Sequence, residues 1–249
     1  LDLGIRAADF LDRVFASPTP AMARHGICPS HLMAQVELYR ELGERRYLDL
    51  ACRLLAMRDL VEKGDDDNQD RISFRLQREA VGHAVRATYL YAGAADILAE
   101  TGDPELRIVL DAVWSDLTSR KLAITGGCGP LYDGASPDGV EDQACITRIH
   151  QAFGRPYQLP HTSAHNETCA AIGNLMWNWR MFLLTGESRF ADLVEETFYN
   201  SVLAGISLDG QSFFYTNTLR QLDDYPVALR WPRHRLTYFS CFCCPPNVL

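Results

Sequence analysis

Apolar residues recur at spacings of three and four through most of the first two hundred residues, the period that lines one face of an α-helix. Leu32, Met33, Val36, Tyr39 and Leu42 form one such stripe, and Gly43 follows as its stop signal. Tyr47, Leu48, Leu50, Ala51, Leu54 and Leu55 resume the pattern at once. The same periodicity predicts helices around 80–100, 104–123, 167–184 and 188–204. A weak repeat marks the joints: Leu42-Gly43-Glu44-Arg45-Arg46-Tyr47-Leu48 parallels Thr185-Gly186-Glu187-Ser188-Arg189-Phe190-Ala191, and Thr101-Gly102-Asp103-Pro104-Glu105-Leu106 is a third variant. Each closes a helix on glycine, turns tightly and opens a new apolar stripe behind acidic residues. Helical hairpins repeated in this way build open solenoids or closed toroids, and the repeat is compatible with either.

Two regions break the pattern. Residues 125–165 hold Gly126-Gly127-Cys128-Gly129-Pro130, Asp133-Gly134-Ala135-Ser136-Pro137-Asp138-Gly139, Pro156 and Pro160, which predicts a long loop of the kind that carries function. Residues 210–240 favour strands instead, through Phe213, Phe214, Tyr215 and Thr216, then Leu229, Trp231, Leu236, Tyr238 and Phe239, and read as a β-hairpin capping a helical domain. Leu1 opens the chain in what reads as mid-helix, and Leu249 closes it five residues after a cysteine pair, so both ends read as cuts.

Composition narrows the function. The 249 residues are 47% hydrophobic and 22% charged, ordinary for a globular protein. With 24 Lys and Arg against 32 Asp and Glu, the net charge of −8 argues against a surface that tracks nucleic-acid phosphates. Neither a transmembrane run nor a basic amphipathic stretch suggests a membrane partner.

The eight cysteines are unevenly placed. Cys241, Cys243 and Cys244 fall within four residues, where disulfide geometry is poor, and a chain with this much core has no need of a disulfide scaffold. Clustered thiols beside a carboxylate point to metal or catalysis. His165-Asn166-Glu167-Thr168-Cys169 opens the helix after the long loop, and Glu167 and Cys169 face the same way if the chain there is extended. Glu167, Cys169, Cys243 and Cys244 would together suit a tetrahedral zinc ion. The competing reading makes Cys169 a small core residue and the triplet incidental, since the spacing matches no standard finger. Cys28, Cys52, Cys128 and Cys145 read as buried or incidental thiols. His83 stands where an apolar helix starts, a place where hydrogen-bonded structural histidines are common; His31, His161 and His165 share that reading. Asp65-Asp66-Asp67 reads as a solvated turn. Trp177, Trp179, Tyr157, Tyr215, Asn174 and Asn178 supply the aromatic faces and amides that a sugar site uses, although most serve equally as core.

Taken in order, Gly82-His83-Ala84-Val85-Arg86, Ile124-Thr125-Gly126-Gly127, Tyr157-Gln158-Leu159-Pro160, Asn166-Glu167-Thr168-Cys169-Ala170-Ala171-Ile172-Gly173-Asn174 and Cys243-Cys244-Pro245-Pro246-Asn247 resemble glycoside hydrolase family 127. The resemblance runs over nearly the whole chain. It implies an all-α (α/α)6 barrel, incomplete here, with the short hairpin region near its C-terminus and without the family's β-sandwich domains. It implies a β-L-arabinofuranosidase-like glycosidase that retains anomeric configuration, with Cys243 as nucleophile. Glu167, Cys169, Cys243 and Cys244 match its zinc ligands, His83 a histidine that contacts sugar hydroxyls, and Tyr215 an active-site tyrosine. His31 is a further candidate for substrate binding.

One position departs from that pattern. Sixteen residues before Glu167, where such enzymes carry the general acid/base glutamate, this chain has Gln151 within His150-Gln151-Ala152-Phe153-Gly154. A carboxamide cannot donate that proton. Glu141 or Asp142 in the long loop could serve instead, or the substrate differs. A relative acts on the branched acidic sugar aceric acid of pectin, and Arg71, Arg86 and Arg155 are available guanidiniums for such a substrate. The expectation is therefore a zinc-dependent hydrolase of a plant cell-wall carbohydrate. The alternatives are a zinc-stabilised binding domain and a helical-repeat scaffold with incidental cysteines. A partial toroid would leave apolar faces uncovered, so this length of chain is expected to be inactive or prone to aggregate.

Overall fold

In a computed structural model of the chain, the described residues are 1–25, 28–131, 151–224, 232, 234–238, 241 and 243–248. Asp133 to Gly139, Glu141, Asp142, Cys145, Leu229, Trp231 and Phe239 lie outside them. The described residues form helices α1 (Asp2–Val14), α2 (Pro20–His25), α3 (His31–Leu42), α4 (Arg45–Ala56), α5 (Ala84–Thr101), α6 (Pro104–Arg120), α7 (Thr168–Thr185), α8 (Ser188–Thr197) and α9 (Cys244–Val248). The protein is mostly helical, as the periodicity requires.

The repeated joints behave alike. Gly43, Gly102 and Gly186 end α3, α5 and α7 with φ near +70°, and each donates its N–H to the carbonyl four residues back, of Tyr39, Leu98 and Phe182. Only glycine adopts that left-handed conformation without strain, so the chain reverses there and the next helix packs antiparallel. At the third joint Asp103 caps α6 by accepting from the Glu105 N–H at 2.9 Å, with Pro104 at the first helical position.

α5 and α7 form the centre. Both are buried over most of their circumference and pack along each other, with α3, α4, α6 and α8 around them. Tyr91 of α5 meets Trp177 of α7 at 4.8 Å between ring centroids, and both are wholly buried. Asp96 of α5 is also buried, yet it joins three helices: Arg40 of α3 reaches its Oδ1 at 3.0 Å and Arg180 of α7 its Oδ2 at 2.6 Å. Two forked guanidiniums satisfy both carboxylate oxygens, which is what a buried charge requires. No helix among the described residues is long and apolar enough to cross a membrane.

Two expectations change. The pattern at 188–204 is not one helix: α8 stops at Thr197, followed by a π turn (Phe198–Val202) and a 3-10 turn (Leu203–Gly205). Ser201 in that wide turn donates its hydroxyl to the Thr125 carbonyl at 2.7 Å, tying the turn to the loop ahead of α7. The expected hairpin at 210–240 is replaced, among the described residues, by isolated antiparallel bridges: Ile206 with Phe213, Phe213 with Leu236, and Glu167 with Thr216. Phe213 exchanges both backbone hydrogen bonds with Leu236, while the Tyr215 carbonyl accepts from the Thr168 N–H at the start of α7.

Candidate active site and metal centre

α5 and α7 begin side by side, and the last residue before each helix carries a site side chain. Glu167 is the extended residue preceding α7 (φ −59°, ψ 137°), and Cys169 lies in its first turn. A short ladder fixes them: the Thr168 N–H donates to the Tyr215 carbonyl, the Thr168 hydroxyl to the Phe214 carbonyl, and Asn217 Nδ2 to both the Asn166 carbonyl and Thr168 Oγ1. The same ladder sets Tyr215 against the site. Cys243 and Cys244 arrive from the far end of the chain at the start of α9.

One ligand atom from each of Glu167, Cys169, Cys243 and Cys244 lies within 4.8 Å of all the others. Cys244 Sγ is 3.4 Å from Cys169 Sγ and 3.7 Å from Cys243 Sγ. Glu167 Oε1 is 3.5 Å from Cys243 Sγ and 3.7 Å from Cys244 Sγ. A tetrahedral zinc bonded at about 2.3 Å to sulfur and about 2.1 Å to oxygen has S–S edges of about 3.8 Å and S–O edges of about 3.6 Å. The residues present thus fit such an ion in donor type and in spacing. The seven described cysteines are all free thiols.

Electrostatics point the same way. Hydrogen bonds from the Cys243 and Cys244 thiols pull Cys169 down to about 5, outweighing its burial, and Asn247 adds a donor at 3.2 Å. Burial and then Cys169 and Cys243 push Cys244 well up. Burial, Glu167 and the nearby thiols raise the Tyr215 hydroxyl too. Several acids that cannot all ionise together in a buried space are what a bound cation accommodates. His165, wholly buried, approaches Glu167 Oε2 with Nε2 at 3.4 Å and orients the carboxylate. Cys243 alone of the four donors is half-buried rather than buried.

His83 precedes α5 as Glu167 precedes α7. Its Nε2 meets Gln151 Oε1 at 2.8 Å. Gln151 adopts a left-handed backbone (φ 52°), and its carbonyl accepts from the Ala84 N–H at 2.9 Å, taking up the first turn of α5. For a residue other than glycine that conformation is strained and is kept where the surroundings enforce it. Asp65-Asp66-Asp67 is a turn, as expected, but half-buried rather than freely solvated. Gln69 Nε2 lies 3.0–3.2 Å from the carbonyls of Asp67, Val81 and His83, and Arg86 Nη1 bonds Asp67 Oδ2 at 2.7 Å and Asn68 Oδ1 at 2.8 Å.

Glu167, Cys169, Cys243, Cys244 and Tyr215 therefore converge, and His83 pairs with Gln151. Tyr215 Oη lies 3.7 Å from Cys243 Sγ. His31 opens α3, bonds the Cys28 backbone and neighbours Arg58; burial lowers its pKa, and none of the cluster's hydrogen bonds reaches it. Glu141 lies outside the described residues. Two participants were given no role from the sequence, Asn247 and Gln69, and Cys241, read there only as one of the clustered thiols, has its sulfur 3.4 Å from that of Cys243. The density of the cysteine motif and the polarity of Asn68-Gln69-Asp70-Arg71 were the available signals for them. Cys128 is buried with its thiol pushed up to about 12, as an inert core residue should be.

Similarity to known proteins covers this whole arrangement. The sequence model described as "Beta-L-arabinofuranosidase, GH127 catalytic domain" matches residues 1–249. A non-reducing end β-L-arabinofuranosidase of Bifidobacterium longum subsp. longum is 29% identical over 272 aligned positions, covering 100% of this chain and 39% of that protein. A solved glycoside hydrolase shares 55% identity at a TM-score of 0.90, over 98% of this chain and 40% of its own. A GH127 β-L-arabinofuranosidase from Geobacillus stearothermophilus T6 shares 30% identity at a TM-score of 0.73, over 87% of this chain and 35% of its own. The chain thus spans about two fifths of the length of these relatives. With its full length matched, the chain belongs to glycoside hydrolase family 127, in the part that forms the catalytic domain.

Proposed function

We propose that this chain forms part of the catalytic domain of a retaining glycoside hydrolase that releases non-reducing-end L-arabinofuranose, or a related plant cell-wall sugar, with Cys243 as nucleophile. The observation that carries the reading is the four-donor cluster, its ligand atoms within 4.8 Å of one another and Cys243 its one half-buried member. Its helical hairpins belong, in this reading, to an (α/α)6 barrel of which the chain is a portion. Zinc bound by Glu167, Cys169, Cys243 and Cys244 would keep sulfur as thiolate at neutral pH. Cys243 Sγ then attacks the anomeric carbon and water later opens the thioglycoside, so two inversions retain configuration. Tyr215 sits against the attacking sulfur, and His83 and His31 are candidates to hold sugar hydroxyls.

Gln151 favours a second reading. A carboxamide at the position of the expected acid suits either a different substrate, such as a branched acidic pectin sugar, or a zinc-stabilised domain that binds carbohydrate without cleaving it. Elemental analysis of the reduced, dialysed protein should find one zinc per chain. Cys243→Ala should lower arabinofuranoside turnover by on the order of 10³-fold or more with the fold retained. Loss of folding in that variant supports the zinc scaffold. Unchanged folding and turnover would remove Cys243 from both readings.

A further inference from the structure

We propose that Cys241 is a resolving thiol for Cys243, which makes this sulfur pair a site of reversible oxidative modification by a hydroperoxide. The inference rests on the reading of Cys243 as the reactive thiolate and goes beyond it to Cys241, which the four-donor cluster leaves out. A sulfur kept as thiolate for attack on carbon is equally open to a peroxide oxygen. Without a neighbouring thiol that oxidation runs on to sulfinic acid, which thiols do not reverse. With one, it stops at a disulfide.

Three observations put Cys241 in that role. Its Sγ lies 3.4 Å from Cys243 Sγ, closer than Cys244 Sγ at 3.7 Å. Cys241 and Cys243 are both free and half-buried, whereas Cys169 and Cys244 are closed to solvent, at 1% and 0% exposure. The Tyr215 hydroxyl lies against both sulfurs of the pair, 3.8 Å from Cys241 Sγ and 3.7 Å from Cys243 Sγ. Side chains two positions apart point the same way along an extended chain, and adjacent ones point apart. Cys241 and Cys243 therefore bridge with less distortion than Cys243 and Cys244. So short a loop still strains the bond, and strained bridges are the ones that thiol exchange opens again. The spacing that speaks against a structural disulfide thus suits a transient one.

The steps balance. The Cys243 thiolate attacks the outer oxygen of the hydroperoxide, so the S–O bond forms, the O–O bond breaks and an alkoxide or hydroxide leaves. The Cys241 sulfur then attacks the Cys243 sulfur. The S–S bond forms, the S–O bond breaks, and the departing hydroxide takes the Cys241 proton to become water. The two sulfurs lose two electrons, and the oxygens of the broken O–O bond gain them. A dithiol reverses the bridge by exchange, returning two electrons and two protons. The bridge withdraws Cys243 from attack on carbon and leaves Glu167, Cys169 and Cys244 in place.

The test treats the reduced, zinc-loaded protein with hydrogen peroxide, unfolds it in iodoacetamide and maps the sulfurs by fragmenting its peptides in a mass spectrometer. The peptide carrying Cys241 and Cys243 should lose two hydrogens and escape alkylation at both, with Cys244 alkylated beside them. Dithiothreitol should restore both thiols. In Cys241→Ser, Cys243 should instead gain two or three oxygens and resist dithiothreitol. The map of the parent needs no variant, so it decides the matter even if Cys241→Ser does not fold. A bridge from Cys244 to Cys243 or Cys169, sulfinic acid at Cys243 in the parent, or no oxidation at all would overturn the assignment. So would recovery of Cys243 in Cys241→Ser as complete as in the parent. Arabinofuranoside turnover is followed separately: a parent that forms the bridge but cleaves nothing would overturn the glycosidase reading and leave this inference standing.

Discussion

Asn247 donates to Cys169 Sγ at 3.2 Å from the last turn the structure describes. A donor to a ligating sulfur tunes the site without joining it, and such outer partners are typically worth ten- to a hundredfold in metal affinity. Asn247→Ala should therefore weaken zinc binding by about 10- to 100-fold, measured by competition with a chromophoric chelator, while the apo fold melts unchanged. Equal affinities would mean that the contact contributes nothing to the site. At this scale the sequence was legible where chemistry is dense. Three thiols in four residues are hard to assign to packing, and the carboxylate and thiol two apart at a helix start gave the other half of the donor set. Gln69 was not legible, because its role lies in three carbonyls that only the folded loop brings to it.

Among the helices, the joints carry local signals and the helix ends carry function. Gly43, Gly102 and Gly186 were readable because the constraint sits within one residue and its hydrogen bond four positions back. Asp103 is a sharper case. Partial burial pushes its carboxyl up, but Arg75 at 2.7 Å and the Glu105 N–H outweigh that and leave it below its ordinary value. A depressed folded value means that the carboxylate stabilises the fold above the unfolded pKa, and that this contribution is lost as pH falls through the lower folded value. Asp103→Ala should cost about 1 kcal/mol near neutral pH. In urea denaturation the gap between variant and parent should shrink progressively below about pH 4. A gap independent of pH would show that the charge is irrelevant to the cap. The 188–204 pattern failed at this scale, since periodicity does not distinguish a regular helix from one that widens to bond a neighbouring loop.

For the whole molecule, the donor cluster is a long-range tie: Cys169 and Cys244 are 75 positions apart and touch. Four donors joined through one ion would link the start of the central helix α7 to the end of the described chain, and binding energy of that kind is folding energy. Under reducing conditions, removal of zinc by a chelator should lower the melting temperature, with the loss reversed by zinc but not by magnesium. Magnesium prefers oxygen donors and would not replace zinc on three sulfurs. An unchanged melting temperature after verified metal loss would show that the helical core holds the four donors unaided. That core is substantial, with Trp177 packed on Tyr91 and Asp96 clamped between Arg40 and Arg180.

The sequence by itself determined the helical hairpins, their glycine joints and the chemical character of the site, because each is encoded within a few residues: a period, a cap, a knot of thiols beside a carboxylate. Only the tertiary structure decided that Cys243 and Cys244 meet Glu167 and Cys169, that Tyr215 lies against the sulfur, and that His83 is held by Gln151. Those contacts join segments separated by tens of residues, and the His83 pair lies where α5 starts beside α7 across Gly129. No local pattern encodes that approach, since it is set by how the two central helices bury one another.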